Sequence, residues 1–145
     1  MKILNALVLF VALSACGPAM DVPGGFVRVD GDYDLRVTNA EGVVVGVNVY
    51  RNRRPHGDLG FWAGALDARV RAQYGQTQRV EVTSDSGVEG VRIQAATARD
   101  GRPHRYWATV FVTGRRVVVV EAGGDEAHFA PQEEQVEAAI RSIEI

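Results

Sequence analysis

The chain has 145 residues, with 16 basic and 18 acidic side chains and a formal net charge of −2. This slightly negative balance argues against general nucleic-acid binding, which needs a basic surface. The single cysteine excludes an internal disulfide, and the length predicts one domain that buries a core without covalent cross-links.

The N-terminus carries one lysine, Lys2, followed by an apolar run over 3–15 that ends in Leu13-Ser14-Ala15-Cys16. The run is too short for a bilayer-spanning helix, which needs about 20 residues, and has the form of a secretory signal. The four closing residues resemble a bacterial lipoprotein signal. The resemblance implies cleavage before Cys16 and a diacylglyceryl group on its thiol, so that 1–15 is a signal peptide.

The stretch 16–25 is rich in proline and glycine, which predicts a flexible tether rather than a helix or a central strand. Nine residues span at most about 30 Å, so the folded domain is expected to lie close to its membrane. Gly17 follows the cysteine and, in a host with two membranes, resembles the pattern of lipoproteins sent to the outer membrane. The expected location is therefore the periplasmic face of that membrane.

The domain over 26–145 begins with alternating strands. Tyr33, Leu35 and Val37 alternate with polar residues, and 42–50 carries a valine at every second position. Asp58 is expected to cap a helix that ends at Gly75, with an apolar stripe that includes Trp62 and Leu66. Further alternation at Val80 and Val82, together with turn residues between the runs, indicates a mainly antiparallel sheet.

The later strands, over 90–98, 104–113 and 116–122, are apolar on both faces, as Tyr106 and Trp107 illustrate. Such strands need cover on both sides of the sheet. Besides the helix over 58–75, a second helix is predicted to begin at Pro131 and to bury Val136 and Ile140. The expected fold is α+β, with about six to seven strands covered by two helices.

This plan resembles the PsbP-like α/β/α sandwich. The resemblance depends on four stretches: the opening Pro23-Gly24-Gly25-Phe26, the helix over 59–75, the turn and aromatic strand over 101–112, and the ending over 129–142. It implies a binding protein and brings no catalytic residues with it. A cystatin-like module, in which one helix covers a sheet, is the alternative fold.

Two basic loops are the richest candidates for a binding site. Both contain Arg-Pro-His, and if they met at one end of the sheet their guanidiniums could clamp phosphates of lipid headgroups or an acidic partner. Basic loops are also common as solvated connectors, so both interpretations stay open. The candidate residues for anion or partner binding are Arg51, Arg53, Arg54, His56, Arg99, Arg102 and His104.

Other chemistry has weaker support. The cluster Asp125-Glu126-Ala127-His128 after Gly123-Gly124 is a poor metal site and reads as a loop leading into a helix, with the glycine pair turning the chain. Glu121 is the one further carboxylate considered for acid or base work. No serine lies in a nucleophile elbow, and no cofactor motif is present. No metal, cofactor or catalytic residue is therefore predicted.

These observations favour a lipid-anchored, non-catalytic binding or adaptor module that recognises a protein or an anionic envelope component. The first alternative is a carrier of a small apolar ligand, which would need a large dry cavity beneath Trp62 and Trp107. The second is a hydrolase that uses His128 and nearby carboxylates, which would have to converge in a cleft. Besides the membrane, an envelope protein or an anionic headgroup is the expected partner.

Overall fold

A computed structural model describes residues 17–145; the predicted signal peptide over 1–15 and the predicted lipidation site Cys16 lie outside the described residues. The described chain forms one sheet and three helices joined by short turns. The strands are β1 (Phe26–Arg28), β2 (Leu35–Asn39), β3 (Val44–Arg51), β4 (Thr77–Thr83), β5 (Glu89–Arg99), β6 (Arg102–Val112) and β7 (Arg116–Asp125). The helices are α1 (Leu59–Tyr74), α2 (Glu126–Phe129) and α3 (Glu133–Arg141), with a 3₁₀ turn at Ala130–Gln132.

The seven strands form one antiparallel sheet in the order β1-β2-β3-β7-β6-β5-β4. Hairpins join β1 to β2 and β2 to β3. Three further hairpins join β4 to β5, β5 to β6 and β6 to β7. The remaining contact, β3 against β7, brings the first three strands beside the last one, with Val47 opposite Val120. The prediction of a mainly antiparallel sheet of six to seven strands is confirmed.

Helix α1 begins and ends where the sequence predicts. The Asp58 side chain accepts a hydrogen bond from the Phe61 amide at 2.8 Å, which satisfies one of the free donors of the first turn. Gly75 closes the helix at φ 87°, a left-handed conformation that glycine adopts without strain. Ala63, Leu66 and Val70 lie buried between these caps.

The two faces of the sheet bury two separate cores. On one face α1 packs against β5 and β6, with Ile93 and Ala108 fully buried beneath it. On the other face α2 and α3 cover the middle of the sheet, where Trp107 and Phe129 pack edge to face at 4.9 Å. Cover on both faces confirms the α/β/α sandwich, and the cystatin-like alternative is wrong because it would leave Trp107 without a covering helix.

The C-terminal helical segment differs from the prediction. Pro131 lies in the 3₁₀ turn, and α3 begins two residues later at Glu133. Gly123 and Gly124 do not turn the chain but continue β7, paired with Tyr106 and Arg105. Glycine is favoured at 123 because a β-carbon there would lie 3.1 Å from the Arg105 carbonyl oxygen, closer than most β-carbons approach.

The segment over 17–25, predicted as a flexible tether, is docked on the domain. Met20 is buried in the core beneath α3. The Ala19 carbonyl accepts a hydrogen bond from the Glu144 amide at 2.9 Å, and the Asp21 amide donates to the Ser142 hydroxyl at 2.9 Å. Burial of the Met20 side chain and these two hydrogen bonds from backbone amides offset the loss of conformational entropy on ordering the segment.

Candidate functional site

Helix α1 leaves part of its own face of the sheet uncovered. It lies over β5 and β6, so the surface of β7 and β3 beside it forms the floor of an open groove. Four α1 side chains, Trp62, Ala65, Leu66 and Arg69, follow the i, i+3, i+4, i+7 spacing of one helix face and form one wall. Tyr50 and Arg51 at the end of β3 form the opposite wall.

The groove has an apolar floor and a volume of about 410 Å³. Val117 and Val119 of β7 and Val110 of β6 line the bottom, with the Tyr50 ring at the side. The size falls in the range of small-molecule sites, roughly 300–1,000 Å³. The arrangement suits an apolar chain or ring that stays partly open to solvent.

A carboxylate, Glu121, closes one end of this groove. It points from β7 toward α1, and its side chain is only 16% exposed. The Tyr106 hydroxyl donates a hydrogen bond to Glu121 Oε1, and Arg69 Nη2 lies 2.9 Å from the same oxygen. A buried carboxylate needs such partners, since an unpaired one would be strongly destabilising.

The ionisation of this cluster follows from its contacts. Burial, then the hydrogen bond to the Glu121 carboxylate, raises the pKa of Tyr106. Burial and the same carboxylate raise the pKa of Tyr33, whose ring covers Gly46 on the neighbouring strand. Burial by itself lowers the pKa of Arg69, but Glu121 outweighs it and the pKa is raised. Both tyrosines are neutral at pH 7, and Arg69 and Glu121 neutralise each other.

Beyond the Arg69–Glu121 bridge lies a second recess of about 460 Å³. Tyr74, His104 and Arg99 line it, so two of the residues that the sequence singled out reach this site. Tyr74 and Tyr106 pack with their ring centroids 4.7 Å apart. The recess is more polar than the groove, since Arg99, His104, Arg105 and Glu121 line it together with the backbone of Gly123 and Gly124.

The two basic loops do not meet. Arg51 pairs with Arg116 at the beginning of β7, whereas Arg105 and His104 pair with Gly124 and Asp125 at its end. Arg116 and Asp125 lie nine residue steps apart along β7, which is about 30 Å at the rise of a strand. The idea of one shared clamp is therefore wrong, and Arg53, Arg54 and His56 lie at one end of the sheet while Arg99 and Arg102 lie at the other.

At its own end the first basic loop is joined to the β6–β7 turn by Asn52, which is 4% exposed. Its side-chain amide donates to the carbonyl oxygens of Gly57, at 2.9 Å, and Thr113, at 3.2 Å. Its side-chain oxygen accepts from the Gly57 amide and from Trp62 Nε1. The loop, the turn and the first turn of α1 are thereby held as one unit.

Residues 17–145 do not contain the arrangements that a carrier cavity beneath both tryptophans and a hydrolase site at His128 would need. Trp62 belongs to the α1 face and Trp107 to the α3 face, so no single cavity lies beneath both. His128 is exposed, while Asp125 caps α2 by accepting from the Ala127 amide and Glu126 pairs with Arg105. In the part of the chain that the structure describes, no three histidine, cysteine, aspartate or glutamate side chains converge as a metal site would require.

Sequence reasoning did not find Arg69, Tyr33 or Asn52 as members of a site. Glu121 could have been found from the sequence, because it is the one charged residue in the apolar run over 117–122. The alternation of side chains along a strand places it on a covered face of the sheet. Its partners come from β6 and α1, far away in sequence, and no local pattern pairs them.

Comparisons with known proteins support the fold alone. No protein-family model matches the chain, and no curated protein matches it. Among solved structures, LpqN of Mycobacterium tuberculosis, described as involved in cell envelope biogenesis, superposes with a TM-score of 0.66 at 10% identity, covering 87% of this chain and 81% of LpqN.

Cyanobacterial PsbP (CyanoP) of Synechocystis sp. PCC 6803 superposes with a TM-score of 0.62 at 12% identity, over 89% of this chain and 86% of CyanoP. PA94 of Pseudomonas aeruginosa, a protein of unknown function described as a putative regulator, gives 0.55 at 11% identity over 88% and 86%. The domain accordingly has the PsbP-like α/β/α sandwich fold.

Proposed function

We propose that the protein is a lipid-anchored binding module of the bacterial envelope, attached through Cys16, with no catalytic role. Its ligand is an anionic envelope component that carries an apolar segment, and its site is the groove between α1 and β3. The anchor is supported by the sequence pattern Leu13-Ser14-Ala15-Cys16. The expected location is the periplasmic face of the outer membrane, and the structural similarity to an envelope-biogenesis protein is compatible with it.

The groove itself carries the proposal. Its valine floor and the Trp62 and Leu66 wall favour an apolar chain. At one end the positive charge of Arg69 is neutralised by Glu121, while at the other end Arg51 has no carboxylate within ion-pair distance among the described residues. The remaining charge is positive, so the complementary ligand carries a single anionic group at the Arg51 end.

The ligand is tested by quenching of tryptophan fluorescence. The chain has two tryptophans, and only Trp62 lines the groove, because Trp107 is buried on the opposite face. We expect ω-bromodecanoate to quench the domain over 17–145, and the Trp62→Phe variant to lose this quenching. ω-Bromodecanol, which lacks the anionic group, should bind roughly tenfold more weakly, as expected if one charged hydrogen bond is lost.

A matched pair of helix variants locates the site. Ala65→Phe places a ring in the groove and should abolish quenching, whereas Ala72→Phe adds the same ring at another exposed α1 position and should leave it unchanged. If ω-bromodecanoate does not quench Trp62, or if Ala65→Phe binds it as well as the parent chain, the groove is not the site.

The anchor is tested separately by the intact mass of the protein purified from bacterial membranes. We expect a mass increase that corresponds to a diacylglyceryl group and an amide-linked acyl chain, absent from a Cys16→Ser variant. Membrane fractionation of the host should place the parent protein in the outer membrane. A purified protein that begins at Cys16 but carries no lipid would disprove the anchor and leave the proposal for the groove unaffected.

An adaptor for an envelope protein is the second candidate. It is favoured by the uncovered outer strands on the α1 side, where Val27 of the short edge strand β1 is 61% exposed. A partner strand could add to this edge through backbone hydrogen bonds. A photo-crosslinker at position 27 in living cells should then trap one protein specifically, and a crosslinker at exposed Arg79 on β4, the opposite edge strand, should not.

A further inference from the structure

The described chain begins at a defined place on the domain. Gly17 lines a recess together with Arg51 of β3 and Arg116 of β7. Because Met20 is buried and Ala19 is bonded to Glu144, the path of the chain back to Gly17 is fixed rather than free. Cys16 precedes Gly17 by one Cα–Cα step of about 3.8 Å. A lipid on Cys16 would therefore hold this end of the sheet against the membrane.

This end of the sheet is basic. Arg51 ends β3, and Arg53 and Arg54 lie in the loop that follows it. Arg115 lies in the turn before β7, and Arg116 is the first residue of β7. All five arginines are exposed. Within residues 17–145 none of them lies within 4.0 Å of a carboxylate oxygen. The recess itself is balanced, since Asp34 and Glu144 line it beside Arg51 and Arg116. The excess positive charge at this end comes from the exposed Arg53, Arg54 and Arg115.

The five arginines form one surface. Asn52 bonds to the Thr113 carbonyl through its side chain and to the Arg115 carbonyl through its backbone amide, at 2.9 Å, so the loop cannot separate from the turn without breaking these bonds. Phe61 stands beside the loop, 62% exposed, with its ring edge to face against Trp62 at 5.2 Å. An exposed aromatic ring among arginines is typical of protein surfaces that contact a membrane interface.

We propose that this surface, formed by Arg51, Arg53, Arg54, Phe61, Arg115 and Arg116, docks on anionic phospholipid headgroups next to the lipid of Cys16. Guanidiniums bind phosphate oxygens in a forked geometry, and basic residues near an anionic leaflet strengthen attachment. The inference rests on the proposed anchor, which brings the surface to the headgroups. The several acyl chains expected on Cys16 hold the protein by themselves, so the basic surface sets the orientation of the domain on the leaflet.

Docking in this orientation sets the direction of the groove. Tyr50 and Arg51 line both the recess beside Gly17 and the groove under α1. The groove would therefore open at the membrane surface, with its Arg51 end nearest the headgroups and its Glu121 end away from them. The second basic loop, with Arg99 and Arg102, would face the aqueous side, about 30 Å farther out.

The test uses the lipidated protein reconstituted in vesicles of phosphatidylcholine, with or without one quarter phosphatidylglycerol. An environment-sensitive fluorophore is attached to Gly114→Cys, in the β6–β7 turn where a side chain meets open space, or to Ala40→Cys in the β2–β3 turn at the far end. Vesicles with lipid-borne quenchers should quench the Gly114 probe only when phosphatidylglycerol is present. The Ala40 probe should not respond.

Charge variants complete the test. Arg53→Gln with Arg115→Gln should reduce the equilibrium constant for docking by roughly fivefold for each arginine removed, and the matched pair Arg99→Gln with Arg102→Gln should leave it unchanged. Salt at about 1 M, where the screening length is about 3 Å, should release the surface without releasing the lipid anchor.

Two outcomes overturn the proposal: a Gly114 probe that ignores anionic lipid, or an Ala40 probe that responds equally. Intact mass separates these outcomes from a failure of the anchor. An unlipidated Cys16 would bind the fluorophore itself and give a doubly labelled protein that does not stay with the vesicles.

Discussion

Arg51 and Arg116 stand directly opposite each other in the ladder between β3 and β7. Like charges in this position are destabilising, by roughly 0.2–1 kcal/mol. We expect Arg116→Glu to raise the free energy of unfolding by about 0.5 kcal/mol, since it creates an opposite-charge pair, and to weaken attachment to anionic vesicles. Urea denaturation gives the first quantity, and flotation of the unlipidated domain over 17–145 with anionic vesicles gives the second. Arg116→Gln, which removes the repulsion without an attraction, should fall between.

Asn52 connects three segments through four side-chain hydrogen bonds. We expect Asn52→Ala to lower the free energy of unfolding by about 2–3 kcal/mol, because it leaves buried partners unsatisfied. Hydrogen exchange should speed up in both the loop over 53–57 and the turn over 113–115. If only the loop responds, the bond between Asn52 and Thr113 does not join the two segments.

The Tyr106 hydroxyl makes stability sensitive to alkaline pH. Burial and Glu121 raise the pKa of Tyr106 in the folded chain, so the unfolded chain releases this proton first as the pH rises. The free energy of unfolding should therefore be unaffected by this group at neutral pH and should decrease as the pH rises above the unfolded value near 10. Tyr106→Phe should show a shallower alkaline decline in urea titrations from pH 8 to about 11. An equally steep decline in that variant would assign the effect to other groups.

Arg92 is buried on the α3 face, with its side chain 6% exposed and its guanidinium carbon 4.0 Å from the centre of the Trp107 ring. Burial lowers the pKa of Arg92, and its nearest carboxylate, Glu137, is 3.7 Å away. We expect Arg92→Met to leave stability unchanged or to increase it, because it removes a desolvated charge and keeps the packing on Trp107. Arg92→Ala should lower the free energy of unfolding by about 2–4 kcal/mol. Thermal melts of the two variants distinguish a packing role from an ionic one.

The parts of the fold that the sequence predicted are those with local signals. Asp58 and Gly75 mark both ends of α1, since a cap and a left-handed glycine act within one turn of the chain. The start of α3 was missed by two residues because Pro131 suits a 3₁₀ turn as well as a first helical turn. The docking of the segment over 17–25 was not predicted, because it depends on contact between Met20 and core residues that are distant in sequence.

The candidate site was predicted less well, since its members come from separate elements. Glu121 was noticed as an isolated carboxylate, but Arg69 and Tyr106 reach it only after α1 has folded over β6 and β7. The role of the seven predicted loop residues in binding stays a prediction. Their division between two ends of the sheet follows from the pairing of β3 with β7.

The sequence by itself determined the strand and helix pattern and the cover on both faces of the sheet, because periodicity and caps act over a few residues. The lipoprotein signal at the N-terminus stays a prediction from the sequence. Only the tertiary structure decided which strand lies beside which, and with it the separation of the two basic loops, the groove beside α1 and the docking of Met20. The physical reason is that strand pairing across long loops depends on burial of the whole core, to which each local segment contributes only a part.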